Sequence, residues 1–142
     1  MISRAPLYKH GLDYFHGTGH GVGYFLNVHE GPQNISIGRG SYPFKVGMIT
    51  SNEPGLYFEG KYGIRIENLI LCIDKERTEW GHFLGFEDLT LCPYDIEAIN
   101  KDMLTDEEKI AIHEYHKKVY NTLKDYLTKE EQAWLEDICH EI

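Results

Sequence analysis

The sequence has little that suits a secreted, membrane-embedded or nucleic-acid-binding protein. Its three cysteines, Cys72, Cys92 and Cys139, are far apart and without a CxxC spacing, so neither a disulfide framework nor a thiolate zinc site is indicated. There is no apolar run of about 18 residues and no signal-peptide-like N-terminus. The net charge of −9 disfavours binding to a phosphate backbone. We therefore expect a cytoplasmic protein with reduced thiols that binds neither nucleic acid nor membrane.

The composition changes along the chain. The 142 residues, 42% of them hydrophobic, suffice for one core of ordinary size. Residues 1–100 are rich in glycine, aromatic and β-branched residues, whereas residues 101–142 are rich in lysine, glutamate and helix formers. This pattern predicts a single α+β domain with a sheet-rich first part and a helical C-terminal part.

Two capping boxes indicate where helices begin. Thr105 precedes Glu108 by three residues, and Thr128 precedes Glu131 by three, which predicts helices over residues 105–126 and 128–140. His116 lies on the apolar stripe of the first of these helices. We interpret it as a histidine at the edge of the core rather than as a ligand.

Four segments of the first part have the composition of strands, and a turn separates two of them. The strand segments are residues 22–28, 46–52, 63–73 and 86–91. Residues 60–63, Gly-Lys-Tyr-Gly, form a plausible turn. Antiparallel pairing across this turn would bring Glu53 and Glu67 toward each other, because they lie at similar distances on either side of it.

Two glutamates and their surroundings could carry chemistry. Residues 63–73 are apolar on both faces of a strand, which predicts burial on both sides, so an ionised Glu67 there needs a partner. That partner is either Arg65, as a buried ion pair, or a metal ion, and the strand alone does not decide between them. Glu53 precedes Pro54, which places its carboxylate at the end of a strand; in isolation such a glutamate is most often a surface residue.

Residues 16–32 contain three histidines among closely spaced glycines. Glycine lets a ligand, a metal or another strand approach the backbone closely. His20 and His29 would face opposite sides of an unbroken strand, so a bend near Gly21 or Gly23 is needed if both serve one site. One histidine and two carboxylates suit Mn²⁺, Co²⁺ or Zn²⁺.

Taken in order and spacing, these segments resemble the second half of the catalytic domain of pita-bread metallopeptidases, and among them the Xaa-Pro aminopeptidases. The matching strings are His16-Gly-Thr-Gly-His20-Gly, Val28-His29-Glu30-Gly31-Pro32, Asn52-Glu53-Pro54-Gly55 and Gly63-Ile64-Arg65-Ile66-Glu67-Asn68. The resemblance implies the C-terminal half of a creatinase/aminopeptidase-like fold, a curved and mostly antiparallel sheet with C-terminal helices. Residues 1–142 would then be one partial domain.

The resemblance implies a metallopeptidase that releases the N-terminal residue from peptides with proline in second position, by means of a hydroxide activated by two divalent metal ions. Manganese is favoured, with zinc or cobalt as alternatives. The metal ligands would be His20, Glu53 and the bridging Glu67. The catalytic residues would be Glu53 as proton shuttle, His29 as donor to the oxyanion, and His16 either behind the metal ligands or in the substrate pocket.

The sequence departs from the family pattern in one respect. The family's site also takes two aspartates from strands preceding the His-Gly-Thr-Gly-His motif, and Asp13 is the only acid upstream of that motif here. We therefore expect this chain alone to bind one metal ion or none, to be inactive, and to require the other half of the catalytic domain as a partner. The alternative function is a non-catalytic pita-bread module for protein interaction. Apolar surface left exposed would favour a homodimer.

Overall fold

The structure, a computed structural model, describes residues 2–38 and 42–140. The chain forms two compact units, Met1–Thr90 and Leu91–Ile142. The strands of the described residues lie in the first unit, and the two long helices lie in the second. The organisation as one partial domain stays a prediction.

Seven strands of the first unit form three antiparallel groups in the described part of the chain. The strands are β1 (Gly19–His20), β2 (Asn34–Ile35), β3 (Ile49–Asn52), β4 (Gly55–Phe58), β5 (Tyr62–Arg65), β6 (Asn68–Thr78) and β7 (Gly81–Asp88). The groups are β1-β2, β3-β6-β7 and β4-β5. A short helix, α1 (Ala5–Tyr8), and 3-10 turns at Ile2–Arg4 and Tyr24–Leu26 complete the unit.

Two of these ladders are nested around one turn. Residues 59–61 form the turn, with Gly60 at a φ of 71°. On either side of it Gly55 lies opposite Arg65 in the β4-β5 ladder, and Asn52 lies opposite Asn68 in the β3-β6 ladder. Both pairs are symmetric about the same residue, so the two ladders share one register. This register places Glu53 opposite Glu67, as predicted, although the turn lies earlier than the predicted residues 60–63, whose last two belong to β5.

Two strand predictions were wrong. Residues 22–28 form a loop with a 3-10 turn, because the N–H of Gly23 bonds to the carbonyl of Asn27 (2.9 Å) and Phe25 takes a positive φ. Residues 63–73 are not one strand buried on both sides: the chain breaks at Ile66 and Glu67, and all of β5 is exposed. Among the described residues β5 pairs with the short β4 alone, whereas β6 has strands on both sides and buries Asn68, Ile70 and Cys72.

The boundaries of the other two strand segments also shifted. Strand β3 begins at Ile49 rather than at residue 46, because a turn at Lys45–Met48 precedes it, with Gly47 at a φ of 90°. Strand β7 begins at Gly81 and ends at Asp88, so it extends further toward the N-terminus than the apolar residues of 86–91 indicated.

The second unit packs two helices at the positions that the capping boxes predicted. The helices are α2 (Asp106–Leu123) and α3 (Lys129–Ile138), and short 3-10 turns lie at Ile96–Ala98, Lys101–Met103 and Lys124–Tyr126. Both capping boxes are formed. The core of the unit joins Tyr115 and Val119 of α2 to Leu135 of α3. Among residues 2–38 and 42–140, no helix combines the length and hydrophobicity needed to cross a membrane.

His116 is buried in this core, as its place on the apolar stripe predicted. It has no exposed surface, and its Nε2 accepts a hydrogen bond from the backbone N–H of Tyr94 (2.9 Å). Its Nδ1 is buried, and a backbone hydrogen bond with His140 acts on the ring. Burial, together with the neighbouring His113 and His140, lowers the pKa of His116.

Candidate functional site

The His-Gly-Thr-Gly-His segment docks on the end of β3. The N–H of Glu53 donates to the carbonyl of Thr18 (2.7 Å), and the N–H of His20 donates to the hydroxyl of Ser51 (3.0 Å). A Cβ on Gly19 would lie 1.9 Å from the carbonyl oxygen of Ser51. The closely spaced glycines therefore admit a neighbouring strand, one of the alternatives that the sequence left open.

His20 and Glu53 meet at this junction. Nε2 of His20 lies 3.2 Å from Oε1 of Glu53. Glu53 is buried, with 8% of its surface exposed. Its Oε1 accepts a hydrogen bond from the Ser51 hydroxyl (2.8 Å), and its Oε2 accepts one from Nη1 of Arg65 (3.0 Å). Arg65 therefore pairs with Glu53, and not with Glu67 as one interpretation of the strand had it.

The orientation of the His20 ring suits a metal ligand. Its Nδ1 lies 3.0 Å from the carbonyl oxygen of Gly21, which can only accept, so Nδ1 carries a proton and Nε2 is the nitrogen that faces Glu53. A ligating histidine is typically anchored through its other nitrogen in this way. Nε2 can therefore donate to the Glu53 carboxylate in a direct ion pair or, in the neutral ring, share a metal ion with it.

The distance between the two atoms also fits. Ligand atoms about 2.0–2.2 Å from one divalent cation lie roughly 3 Å apart when they occupy neighbouring coordination positions. The 3.2 Å between His20 and Glu53 has this value. The same distance suits a direct ion pair, so metal binding by His20 and Glu53 stays a prediction.

Glu67 is placed differently from these two. Its side chain is exposed, so the argument that a buried carboxylate needs a partner does not apply to it. Within the described residues no group of three or more His, Cys, Asp or Glu side chains is arranged to hold a metal ion. The structure thus brings together two of the three predicted ligands, and the role of Glu67 stays a prediction.

The other two predicted histidines lie in the same cleft. The ring of His29 is exposed and packs on the ring of His20, with 4.2 Å between the centroids, which confirms the bend expected after His20. His16 bonds through Nδ1 to the carbonyl of Gly17 (2.7 Å) and through Nε2 to the hydroxyl of Tyr57 (2.8 Å). The cleft has a volume of about 690 Å³ and is also lined by Arg4, Glu53 and Arg65.

Tyr57 was not identified from the sequence, although it connects two site residues. Its hydroxyl accepts from Nε of Arg65 (2.9 Å) and shares a hydrogen bond with Nε2 of His16 (2.8 Å). Arg65 in turn holds Glu53, so one chain of hydrogen bonds runs from His16 to the candidate ligand. The signal in the sequence was the pair Gly55 and Gly63: a Cβ on either would lie within 3 Å of the Tyr57 side chain.

Asp13, the acid upstream of the motif, is already paired. Arg4 is buried and bonds to the Asp13 carboxylate (2.6 Å) and to the carbonyl of His16 (2.6 Å). The hydrogen bond from Arg4 lowers the pKa of Asp13. Arg4 therefore fixes the start of the histidine motif, a role that the sequence did not indicate.

Comparison with known proteins identifies two regions of the chain. Residues 1–74 match the model of metallopeptidase family M24, and residues 82–142 match the model of the C-terminal region of peptidase M24. The relative FRA1 of Saccharomyces cerevisiae is 49% identical over 128 residues, which are 89% of this chain and 17% of the relative. A protein of Coprinopsis cinerea named as a probable Xaa-Pro aminopeptidase P is 45% identical over 140 residues, covering 94% of this chain and 22% of the relative.

A solved structure has the same fold. The X-prolyl aminopeptidase of Caenorhabditis elegans, described as a cytosolic enzyme with a di-nuclear active site, matches with a TM-score of 0.87 and 39% identity. The match covers 98% of this chain and 23% of that chain. The predicted fold class, α+β with antiparallel sheets and C-terminal helices in a pita-bread fold, is confirmed. The chain spans about a fifth of the length of the curated relatives that it matches.

Proposed function

The chain belongs to metallopeptidase family M24, and from this premise we propose that its cleft is part of the active site of an Xaa-Pro aminopeptidase. The observation that carries the proposal is the pair His20 and Glu53, whose facing atoms are 3.2 Å apart with the other His20 nitrogen anchored. The relatives' names support the substrate class, a peptide with proline in second position.

His20 and Glu53 would hold a divalent metal ion, and Glu67 would join them in the intact enzyme. Two bound cations would supply an activated water and polarise the peptide carbonyl. The di-nuclear active site of the Caenorhabditis elegans protein supports two ions. Manganese is the metal we propose, with zinc or cobalt as alternatives, and the cytosolic description of that protein supports a cytoplasmic location.

The chain's own residues would perform the proton and orientation steps. Glu53 would take and return a proton, because its carboxylate borders the cleft and is oriented by Ser51 and Arg65. His29 is exposed in the cleft beside His20, where it could donate a hydrogen bond to the developing oxyanion. His16 would line the substrate pocket, held in place by Tyr57.

A second function rests on the exposure of Glu67 and on the lack of a three-ligand group in the described residues. The chain by itself would then be a non-catalytic pita-bread module. The two functions differ in what they predict for metal binding. An enzyme-derived site retains affinity for the ion, whereas an interaction module has no need of it.

Manganese titration of the purified chain, followed by electron paramagnetic resonance, tests the first proposal. We expect weak binding of one ion, which Glu53→Gln and His20→Asn each reduce at least tenfold because each removes one of two close ligands. Glu59→Gln, which changes an exposed carboxylate in the hairpin turn, is the matched control and should leave binding unchanged.

Binding that is equal in Glu53→Gln and Glu59→Gln would contradict the site. Hydrolysis of Xaa-Pro peptides by this chain should be negligible, since two ions are needed and at most one is held here. Turnover that Glu53→Gln abolishes would show instead that the chain completes a site by itself or by association.

A further inference from the structure

Two of the three cysteines lie in the helical unit, far apart in sequence. Cys92 stands at the start of this unit and is exposed, whereas Cys139 directly follows α3 and is half-buried. Both are free thiols. The third cysteine, Cys72, is fully buried in strand β6 of the other unit. Two thiols of one unit can be joined only where the fold brings them together.

The core of the helical unit holds both cysteines. The hydroxyl of Tyr115 accepts a hydrogen bond from the N–H of Cys92 (3.4 Å) and donates one to the carbonyl of the same residue (3.0 Å). Cys139 packs against the cluster that Tyr115 forms with Val119 and Leu135. The two cysteines are therefore anchored to the same group of core side chains.

The chain neighbours of the two cysteines surround one cavity of about 400 Å³. Pro93, which follows Cys92, lines this cavity together with Ile138 and His140, which flank Cys139. Sγ of Cys92 lies 3.8 Å from the carbonyl oxygen of Pro93. The segments that carry the two thiols thus meet around one space that solvent can enter.

The two thiols also interact through their charge. Burial raises the pKa of the Cys139 thiol, and negative charge on Cys92 raises it further. Charge repulsion of this kind is screened beyond about 10 Å, so the two side chains are near neighbours. The repulsion also orders their reactions. The exposed Cys92 reacts first as a thiolate, and once its sulfur is bonded it no longer opposes the ionisation of Cys139.

We propose that Cys92 and Cys139 form a reversible disulfide, with a low-molecular-weight disulfide such as glutathione disulfide as the oxidant. The Cys92 thiolate attacks one sulfur of the oxidant, forms a mixed disulfide with it and releases one glutathione. Cys139 loses its proton to solvent, and its thiolate attacks Sγ of Cys92 and displaces the second glutathione. The cysteine pair is oxidised, and the oxidant is reduced to two thiols.

The bond would tie the start of the helical unit to the end of α3, with both long helices inside the closed loop. Free thiols in the resting chain agree with this, because disulfides of cytosolic proteins are usually transient and redox-sensing. The proposal is independent of the proposed peptidase function.

Mass spectrometry of the reduced chain after incubation with glutathione disulfide tests the pair. We expect one bond within the chain, between Cys92 and Cys139, and two equivalents of glutathione released. Cys139→Ser should stop at the mixed disulfide on Cys92, with one equivalent released. Cys92→Ser should react at least tenfold more slowly, because its remaining thiols are half-buried or buried. Cys72→Ala is the matched control and should react as the unaltered chain does.

Three results would overturn the proposal. The unaltered chain could stay reduced or stop at the mixed disulfide, it could form disulfide-linked dimers instead, or Cys92→Ser could react as fast as the unaltered chain. The first two would show that the thiols do not reach each other within one chain. The third would show that Cys92 is not the thiol that reacts first.

A comparison with the unfolded chain separates a pair that the fold builds from two thiols that are merely reactive. The equilibrium between bond and free thiols in a glutathione buffer gives the effective concentration of one thiol at the other. We expect this concentration to be at least tenfold higher in native buffer than in denaturing urea, because the fold holds both cysteines on one core cluster. An equal or higher value in urea would mean that the fold does not bring them together.

Discussion

At the scale of single residues, the site depends on a place where no side chain fits. Gly19 lies against the backbone of β3, and a Cβ there would be 1.9 Å from the carbonyl oxygen of Ser51. The backbone cannot yield without separating the histidine motif from β3. The neighbouring Gly17 is different, because the nearest atom to a Cβ there is 3.6 Å away.

We predict that Gly19→Ala destabilises the chain by about 2 kcal/mol or more, the scale of overpacking in a core, and weakens Mn²⁺ binding. His20 and Glu53 would no longer be held at bonding distance. Urea unfolding and the manganese titration measure the two effects. Gly17→Ala is the control and should change neither; equal losses in both variants would mean that close packing at Gly19 is not what matters.

The site shows which residue contacts can be read from a sequence. The register that sets Glu53 opposite Glu67 could be predicted, because antiparallel register is set by local chain length, although the turn lies at residues 59–61 rather than at 60–63. The exposure of Glu67 did not follow, since it depends on how few strands flank that part of the chain. The hydrogen bond between His16 and Tyr57 joins residues 41 positions apart, and it requires the Tyr57 ring to pack against Gly55 and Gly63. The alternation of apolar residues along a strand does not indicate such a contact.

At the scale of elements, the two helices were the most predictable part. A capping box is a local interaction between residues three apart, so Thr105 and Thr128 indicate the helix starts directly. The loop at residues 22–28 has an apolar composition typical of strands, but contacts of Gly21 and Gly23 with Glu30 decide its course. Such contacts override local propensity.

The buried His116 makes the helical unit sensitive to pH. Its folded pKa is below the ordinary 6.5, so near and below that pH the unfolded chain binds more protons than the folded one. Stability therefore rises with pH, and is lost as the pH falls below about 6.5. Charge repulsion from His113 and His140 lowers the pKa of His116 further, and the backbone hydrogen bond with His140 partly opposes this.

We predict that the stability of this unit falls between about pH 7 and pH 5, by no more than the one-proton slope of about 1.4 kcal/mol per pH unit. Urea unfolding followed by Trp134 fluorescence in a Trp80→Phe background measures it. His116→Gln keeps an acceptor for Tyr94 and should flatten the dependence. The exposed His10→Gln is the control, and an unchanged slope in His116→Gln would locate the titrating group elsewhere.

At the scale of the whole molecule, each of the two units is stabilised by a different kind of contact. The helical unit is held by capping boxes and by packing between consecutive helices, which are local in sequence. The strand unit depends on pairings such as His20 with Ser51, 31 positions apart. Fold class follows from composition because each unit has its own residue types. The division of the strands into three groups does not follow from composition, because it depends on which strands distant in sequence pair with each other.

The nested register around Gly60 has a kinetic consequence. Closing the turn at residues 59–61 pairs β4 with β5, and the same register then brings β3 to β6 without another loop to close. We expect folding of this unit to nucleate at the hairpin and to zip outward to Ile49 and Leu71. Gly60→Ala, at a φ of 71°, should then slow refolding, whereas Gly11→Ala, at a similar φ of 68°, should chiefly speed unfolding. Stopped-flow refolding of the two variants separates them, and equal refolding rates would place the nucleus elsewhere.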